Sequence, residues 1–213
     1  MNSRPHNQML DYGWSSEKQV CSNAYLENPV ISTCRSLAVS NVLDLGCGRG
    51  DMANALARSG FNVIGCDADA EGIRIARASC PQATFHHIGV YDDPGLLGKH
   101  DFDAVISTEV VEHLYVPRAL PRFAAEVLKD GGWFIITTPY HGYLKNLAIA
   151  LSGHWDRHVS PLWDGGHIKF FSRRTLTELM EEVGFQVVRF EGLGRVPYLW
   201  KSMMLVAKKL PGK

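Results

Sequence analysis

With 213 residues, 46% of them hydrophobic and 21% charged, the chain has the composition of a globular domain rather than of a disordered segment. Its 22 basic residues balance its 22 acidic ones, which excludes a strongly basic protein that holds nucleic acid through the phosphates. No apolar run reaches the about 20 residues of a membrane-spanning helix. The five cysteines contain no C-x-x-C pair, and the N-terminal residues lack the apolar core of a signal peptide, so we expect a reduced, cytoplasmic protein.

Apolar runs that end at a glycine or a polar residue predict five buried strands, at 41–46, 61–67, 83–90, 102–108 and 133–139. Helices are predicted between them at 50–59 and 69–79, and in two pieces around Pro117 and Pro121. Because strands that alternate with helices form right-handed β-α-β units, this region predicts a mostly parallel sheet.

The rest of the chain departs from that alternation. Residues 140–171 are rich in His, Trp and Tyr and have weak periodicity, which predicts a functional insert. Ser172 predicts the start of an amphipathic helix that ends at Gly184. Two strands at 185–193 and 202–209 follow without a helix between them, so the last strand should run antiparallel to its neighbours.

The segment VLDLGCGRG places Asp44, Gly46, Gly48 and Gly50 where the first strand turns into a helix. Glycines there allow a tight turn and let the backbone approach a ligand closely, since no Cβ intervenes. In the dinucleotide fingerprint the third glycine comes later, and the helix N-terminus faces a pyrophosphate. The closer spacing here favours a ligand with an amino-acid end, its ammonium near Asp44 and its carboxylate on the loop backbone, Cys47 included.

The second strand ends at Asp67, which is followed by Ala68. A carboxylate about 20 residues beyond a glycine loop can accept hydrogen bonds from the hydroxyls of a ribose. Alternatively, Asp44 and Asp67 are turn or helix-capping aspartates. We expect the ligand-binding role, because both carboxylates stand at the ends of neighbouring strands.

Together with FDAVISTEVVEHL and LKDGGWFIITTP, these motifs resemble the class I S-adenosylmethionine-dependent methyltransferases, from about residue 40 to the end of the chain. The resemblance implies an α/β, doubly wound, Rossmann-like sheet of seven strands in the order 3-2-1-4-5-7-6, with strand 7 antiparallel. It also implies S-adenosylmethionine as the cofactor, with Val90 and Tyr91 at the adenine, and Thr108 and Glu109 near the methionine portion.

Glu109, Glu112 and His113 follow the fourth strand at helical spacing, which would place them on one face of a helix. Two neighbouring carboxylates repel each other, so a cation, a basic side chain or shared protons are expected between them. Carboxylates with an imidazole are suitable ligands for Mg²⁺, Mn²⁺ or Zn²⁺. In the alternative without a metal, a glutamate caps the helix and the histidine packs on the sheet.

The EVVEH segment and the later GGHIKFFS resemble the ubiquinone-pathway O-methyltransferases and the small-RNA 3′-terminal 2′-O-methyltransferases. Likeness to the RNA enzymes implies a divalent metal held by Glu109, Glu112, His113 and His167, which would bind vicinal hydroxyls of the substrate. His113 could instead be a general base, with Glu109 as a second catalytic residue. RNA is not expected as the substrate, because the net charge is zero.

Aromatic residues are concentrated in the insert and near the N-terminus. We expect the insert to cover the substrate through flat apolar walls and polar groups, and the residues are Tyr140, His141, Tyr143, His154, His158 and Trp163. Within a single domain over 1–213, residues 1–38 should form a first helix and a lid that carries Tyr12, Trp14 and Tyr25. Ordinary packing on the domain surface is the alternative for both segments.

We therefore expect methyl transfer to an oxygen, or else a nitrogen, of a small molecule, achieved mostly by positioning the reactants away from water. Three alternatives remain open. They are a methyltransferase for a lipid-like quinone or a glycan precursor, a nicotinamide-dependent dehydrogenase, and a cofactor-binding protein without catalysis. The oligomeric state is left open as well.

Overall fold

A computed structural model describes residues 23–98, 101–159, 162–163 and 165–212, and its centre is one sheet of seven strands. These are β1 (Asn41–Leu45), β2 (Asn62–Asp67), β3 (Thr84–His87), β4 (Phe102–Thr108), β5 (Leu128–Pro139), β6 (Phe185–Leu193) and β7 (Ser202–Lys209). The order is β3-β2-β1-β4-β5-β7-β6, with β1 to β5 parallel and β7 antiparallel to both β5 and β6. The strand order and the antiparallel last strand are confirmed.

Helices cover both faces of this sheet. They are α1 (Asn23–Ser36), α2 (Asp51–Arg58), α3 (Ala70–Ser79), α4 (Ala119–Val127), α5 (Tyr143–Leu151), α6 (Trp155–His158) and α7 (Arg173–Glu181). Buried apolar residues join α1, α2 and α3 to one face and α4 and α7 to the other. Successive strand residues point to opposite faces of the sheet. Ile135 therefore packs on the face covered by α1, α2 and α3, while Phe134 and Ile136 pack on the face covered by α4 and α7. In the described part of the chain, no helix is long and apolar enough to cross a membrane.

The segment after β4 is not the helix that its spacing predicts. Glu109 adopts a left-handed backbone conformation with φ of 56°, and a 3-10 turn at Val111–His113 follows it. Helix α4 begins only at Ala119 and has Pro121 in its first turn, where a missing N–H leaves no helical hydrogen bond unmade. The two glutamates and the histidine of EVVEH therefore do not share a helical face, and the turn sets their directions.

Two further elements differ from the sequence-based prediction. Strand β5 begins before the Gly131-Gly132 pair rather than after it. The insert contains α5, whose sequence YLKNLAIAL is rich in helix formers but has apolar residues on most sides, so its helical periodicity is weak. After the insert, Ser172 caps α7 as predicted, because the Ser172 and Thr175 hydroxyls each accept the backbone N–H of the other residue.

Candidate active site

The glycine-rich segment forms the turn between β1 and α2. Gly46, Gly48 and Gly50 have φ of 82°, 52° and 84°, a left-handed region that glycine adopts without side-chain clashes. A Cβ on Gly46 would lie 2.5 Å from the Val110 side chain, and one on Gly50 would lie 2.9 Å from Ala76. The turn therefore requires glycine for its conformation and for the close packing around it.

Asp44, near the carboxyl end of β1, is fully buried, and neither of its carboxylate oxygens has a hydrogen-bond partner among the described residues. Burial raises the pKa of Asp44 to about 7, with a further contribution from the charge of Asp67. The backbone N–H of Ala53 opposes this shift in part, although it lies outside hydrogen-bond geometry. A buried carboxylate without a partner is unfavourable unless a cationic group pairs with it. The ammonium of an amino-acid ligand meets this requirement.

Asp67 ends β2 and connects the glycine turn to the next turn. Its Oδ2 accepts the N–H of Gly48 and its Oδ1 accepts the N–H of Asp69, each at 2.8 Å. Burial raises the pKa of Asp67, while these two hydrogen bonds lower it. Asp67 is thus a turn aspartate, yet each oxygen keeps a lone pair that can accept from a ribose hydroxyl. Beside it, the carbonyl of Ala68 accepts a hydrogen bond from His87.

The other residues predicted at the cofactor lie at the same edge of the sheet. Val90 is partly buried against the core, whereas Tyr91 is 54% exposed and its hydroxyl accepts the Val116 N–H at 3.1 Å. Thr108 ends β4, in register with Thr137 of β5. Because the carboxyl ends of the parallel strands share one edge, these residues lie where open α/β sheets bind their ligands.

Glu109 belongs to a hydrogen-bond chain that reaches the first helix. Its Oε1 accepts the hydroxyl of Thr137 at 2.9 Å, and its Oε2 accepts that of Ser202 at 3.0 Å. The Tyr25 hydroxyl of α1 lies 2.8 Å from that of Ser202, so Tyr25 donates to Ser202 while Ser202 donates to Glu109. Burial raises the pKa of Glu109 to about 7, and burial together with the Glu109 charge raises that of Tyr25 to about 12. Sequence patterns do not single out Ser202, which lies in a strand without a recognisable motif. Thr137 lies in the LKDGGWFIITTP motif, but nothing in that motif marks it as a partner of Glu109.

Glu112, His113 and His167 form a cluster in which one ligand atom from each lies within 4.8 Å of the others. Glu112 is 1% exposed, and its Oε2 accepts the Thr138 hydroxyl at 2.9 Å. Its Oε1 has no hydrogen-bond partner in the described ranges, and the Nε2 atoms of His113 and His167 lie 3.9 and 4.0 Å from it. The structure therefore brings together three of the four predicted metal ligands.

Burial acts on both histidines of this cluster, and His113 also has a backbone partner. The Nδ1 atom of His113 lies 2.8 Å from the carbonyl oxygen of Gly165, so Nδ1 donates and Nε2 is the ring nitrogen nearest Glu112. Metal-ligating histidines usually have such a backbone partner. Burial lowers the pKa of His113, and burial with the His113 charge lowers that of His167 to about 4. Both shifts favour the neutral imidazole, which is the form that can bind a metal.

Glu109, the fourth predicted ligand, lies beside this cluster but outside it. Its two oxygens accept from Thr137 and Ser202 instead of completing the cluster. Burial and the charge of Glu109 nevertheless raise the pKa of Glu112, so the two carboxylates are close enough to repel each other. Among the residues that the structure describes, the ligand set is one carboxylate and two imidazoles.

An aromatic side chain from the insert packs on the cluster. The ring of Trp163 lies against those of His113 and His167, with centroids 5.8 and 5.3 Å away. Trp163 is itself 53% exposed, so it stands between the histidines and solvent. Tyr12 and Trp14, the predicted lid residues, lie outside the described residues.

The other predicted substrate residues differ in their surroundings. Tyr140 and His141 are partly buried and pack edge-on against aromatic rings. Tyr143 is 78% exposed, and His154 and His158 are exposed as well. The first two can line a substrate site in this conformation, whereas Tyr143 and His154 present their side chains to solvent.

Comparison with known proteins identifies the family of this chain. A family model described as a methyltransferase domain matches residues 23–189. The chain is 31% identical over 163 residues to a ubiquinone biosynthesis O-methyltransferase of Cereibacter sphaeroides, covering 75% of this chain and 65% of that protein. It is 26% identical over 173 residues to the protein of the same name from Hydrogenovibrio crunogenus, covering 79% and 71% of the two. The chain thus spans about two thirds of the length of these relatives.

Solved structures share the fold. The magnesium protoporphyrin IX methyltransferase from Synechocystis PCC 6803 with bound SAH has a TM-score of 0.62 at 20% identity, covering 86% of this chain and 81% of that one. The YcgJ protein from Bacillus subtilis has a TM-score of 0.66 at 17% identity, covering 87% and 98%. The family match excludes the nicotinamide-dependent dehydrogenase, and the glycine turn and the unpartnered Asp44 fit the amino-acid end of the methyl donor. The chain belongs to the class I S-adenosylmethionine-dependent methyltransferases.

Proposed function

We propose that this enzyme methylates a hydroxyl oxygen of a small-molecule acceptor, assisted by a divalent cation that Glu112, His113 and His167 hold. One observation carries the proposal. The buried Oε1 of Glu112 has no hydrogen-bond partner in the described part of the chain, and the Nε2 atoms of His113 and His167 lie 3.9 and 4.0 Å from it. A buried carboxylate oxygen is unfavourable in such a place unless a cation or a proton accompanies it.

The chemistry of the ligand set narrows the choice of ion. Two imidazoles and one carboxylate suit Zn²⁺ or Mn²⁺ better than Mg²⁺, which prefers oxygen ligands. When bound, such an ion would lower the pKa of an acceptor hydroxyl and so favour the oxygen nucleophile near neutral pH. His113 already has the backbone partner that orients a metal-binding imidazole.

The chain's own residues would position the reactants and move the proton. Asp44 and the glycine turn take the amino-acid end of the methyl donor, and Asp67 takes its ribose. Thr137 and Ser202 hold the Glu109 carboxylate next to the cluster. Because burial raises the pKa of Glu109 to about 7, this carboxylate can accept a proton from the acceptor hydroxyl near neutral pH.

The relatives suggest a class of acceptor. Several are named for ubiquinone biosynthesis and O-methylation, which supports a hydroxylated, lipid-like quinone precursor. The ring of Trp163 beside the two histidines offers a flat apolar wall, which suits an aromatic ring better than a glycan precursor. On this proposal the insert at 140–171 covers the acceptor.

Calorimetric titration tests the cofactor and the metal separately. The protein is titrated first with S-adenosylhomocysteine and then, in the complex, with Zn²⁺, Mn²⁺ or Mg²⁺. We expect binding of the cofactor product without metal, and additional binding of Zn²⁺ or Mn²⁺ that exceeds binding of Mg²⁺. Methyl transfer to a catechol, followed by mass spectrometry, should then depend on the bound ion.

Glu112→Gln is the decisive variant, because it keeps the shape of the side chain but removes the charge. It should abolish metal binding while S-adenosylhomocysteine binding stays at the wild-type level. The matched control is Glu126→Gln, on the exposed side of α4, which should behave as wild type in both titrations. Equal metal affinity in wild type and Glu112→Gln would contradict the metal site.

A further inference from the structure

A cavity of about 440 Å³ opens beside the candidate active site, between α5, α6 and the loop that joins β6 to β7. Its size is within the range of small-molecule sites. Three of the side chains that line it are basic, and others are apolar; they are Lys145, His158, Arg195, Ile149, Val196 and Leu199. None of the described lining residues is acidic.

The basic side chains are held together despite their mutual repulsion. Burial and the charge of Arg195 lower the pKa of Lys145 to about 8, and burial with the charges of Lys145 and Arg195 lowers the pKa of His158. Within the described ranges, neither Lys145 nor Arg195 has a carboxylate within salt-bridge distance. Basic groups gathered in this way, without a carboxylate at salt-bridge distance among the described residues, favour an anionic ligand.

The cavity connects with the residues around the reacting atoms. The Nζ of Lys145 donates to the backbone carbonyl of Lys201 at 3.2 Å, and the next residue, Ser202, donates to Glu109. Burial raises the pKa values of Glu109 and Tyr25. The charge of Lys145 opposes part of the rise at Glu109, and the charge of Arg195 opposes part of the rise at Tyr25. A ligand in this cavity would therefore lie next to the Glu109 carboxylate.

We propose that this cavity is the acceptor's anion subsite, in which Lys145 and Arg195 bind a carboxylate or phosphate carried by an otherwise apolar, hydroxylated acceptor. The inference rests on the proposed function and extends it to the substrate class. The planar guanidinium of Arg195 can pair with either oxyanion through two hydrogen bonds, and Ile149, Val196 and Leu199 contact the apolar body. The hydroxyl to be methylated then points toward Glu109 and the neighbouring cluster.

Two matched pairs of compounds test the subsite in protein saturated with S-adenosylhomocysteine. The first pair is 3,4-dihydroxybenzoate and 4-methylcatechol, which differ only in the carboxylate. The second pair is phenyl phosphate and phenol, which shows whether a phosphate is accepted as well. In at least one pair, the anion should bind about tenfold or more tightly than its neutral partner, which is the effect of one charge-assisted hydrogen bond.

Variants test whether the cavity residues cause the preference for the anionic compound. Arg195→Gln and Lys145→Gln should each reduce the ratio of the two affinities to less than about threefold, whereas Lys145→Arg should keep the wild-type ratio. Arg174→Gln, on the exposed surface of α7, is the matched control and should keep the full preference. Retained S-adenosylhomocysteine binding shows that each variant is folded.

Equal affinity within both pairs, absence of binding by all four compounds, or a preference that persists in both Gln variants would overturn the subsite. If S-adenosylhomocysteine still binds in those cases, only this inference fails. If S-adenosylhomocysteine does not bind the wild-type protein, the proposed function fails first.

Discussion

The backbone N–H of Gly48 donates to the Oδ2 of Asp67 at 2.8 Å, so the carboxylate that ends β2 also stabilises the glycine turn after β1. The other oxygen of Asp67 accepts the N–H of Asp69, which begins the next turn. One side chain thus sets the distance between the two loops at the carboxyl edge of β1 and β2. If the cofactor binds as proposed, contacts to its ribose and to its amino-acid end would be coupled through Asp67.

Asp67→Asn should weaken S-adenosylhomocysteine binding by about 10- to 100-fold, because an amide replaces a charged acceptor of hydrogen bonds. Calorimetric titration measures the change. The control is Asp93→Asn, another turn aspartate, which accepts the N–H of Gly95 at 2.8 Å and starts the 3-10 turn Pro94–Leu97. An equal loss of affinity in both variants would mean that Asp67 acts only on the fold.

Asp44→Asn should stabilise the ligand-free protein and weaken cofactor binding at the same time. The native pKa of Asp44 is raised to about 7, above the ordinary value of 3.8, so the native state binds more protons than the unfolded state between these two values. Wild-type stability therefore falls as pH rises through this window. The free energy of unfolding of Asp44→Asn should therefore equal that of the wild type near pH 4 and exceed it by about 2–4 kcal/mol above pH 7.

Urea denaturation at pH 4 and pH 8 measures this difference. Asp130→Asn, at an exposed position, is the control for the substitution itself. A variant that is less stable than wild type at pH 8 would show that Asp44 is paired within the protein.

Gly46→Ala should destabilise the protein by about 2–4 kcal/mol, through backbone strain and a clash. The new Cβ would lie 2.5 Å from Val110, at a φ of 82°. Gly60→Ala is the matched control, because Gly60 has φ of 95° but nothing within 4 Å of the added Cβ, so only the strain remains. Thermal or urea unfolding gives both values.

Val110→Ala should partly rescue Gly46→Ala, since it removes the atoms that clash with the new Cβ. The double variant Gly46→Ala with Val110→Ala should have nearly the same free energy of unfolding as the double variant Gly60→Ala with Val110→Ala, because only backbone strain then remains at each glycine position. Strict additivity of the two substitutions would show that the clash is relieved by movement of the loop instead.

Ser202→Ala should cost about 1–3 kcal/mol of stability, because it leaves a buried oxygen of Glu109 and the hydroxyl of Tyr25 without their shared partner. Tyr25→Phe removes only the hydrogen bond between Tyr25 and Ser202, so its loss of stability should be smaller. Urea unfolding of both variants at pH 8, where most of the Glu109 carboxylate is ionised, measures the difference. A larger loss in Tyr25→Phe would mean that Ser202 does not donate to Glu109.

Much of the cofactor site can be predicted from the sequence, because its residues lie within short segments whose structure is local. A run such as VLDLGCG identifies both the strand and the glycines that end it, and Asp67 ends the next strand. The side of the sheet follows from the parallel topology, since the carboxyl ends of successive parallel strands share one edge. The sheet order and the antiparallel last strand agree with the expectation.

The segment after β4 shows where local patterns fail. Helical spacing predicts that Glu109, Glu112 and His113 share a face, but Glu109 has a positive φ and the helix begins only at Ala119. Proline at 121 is acceptable in a first helical turn, which allows the late start. Spacing alone could not show this, because the turn is stabilised by hydrogen bonds from β5 to Glu109 and Glu112.

By itself, the sequence predicted the strands, the glycine turn and the acidic strand ends, because each depends on residues that are close along the chain. The motifs in these segments also indicated the family, and the family implied the strand order. The resemblance already implied that His167 joins His113 and Glu112. Tertiary structure alone decided that Ser202 holds Glu109 outside the cluster and that Oε1 of Glu112 has no partner among the described residues. It also decided that Lys145 and Arg195 share a cavity. These contacts join residues far apart along the chain, and they form only when β7 pairs with β5 and the insert packs at the carboxyl ends of the parallel strands.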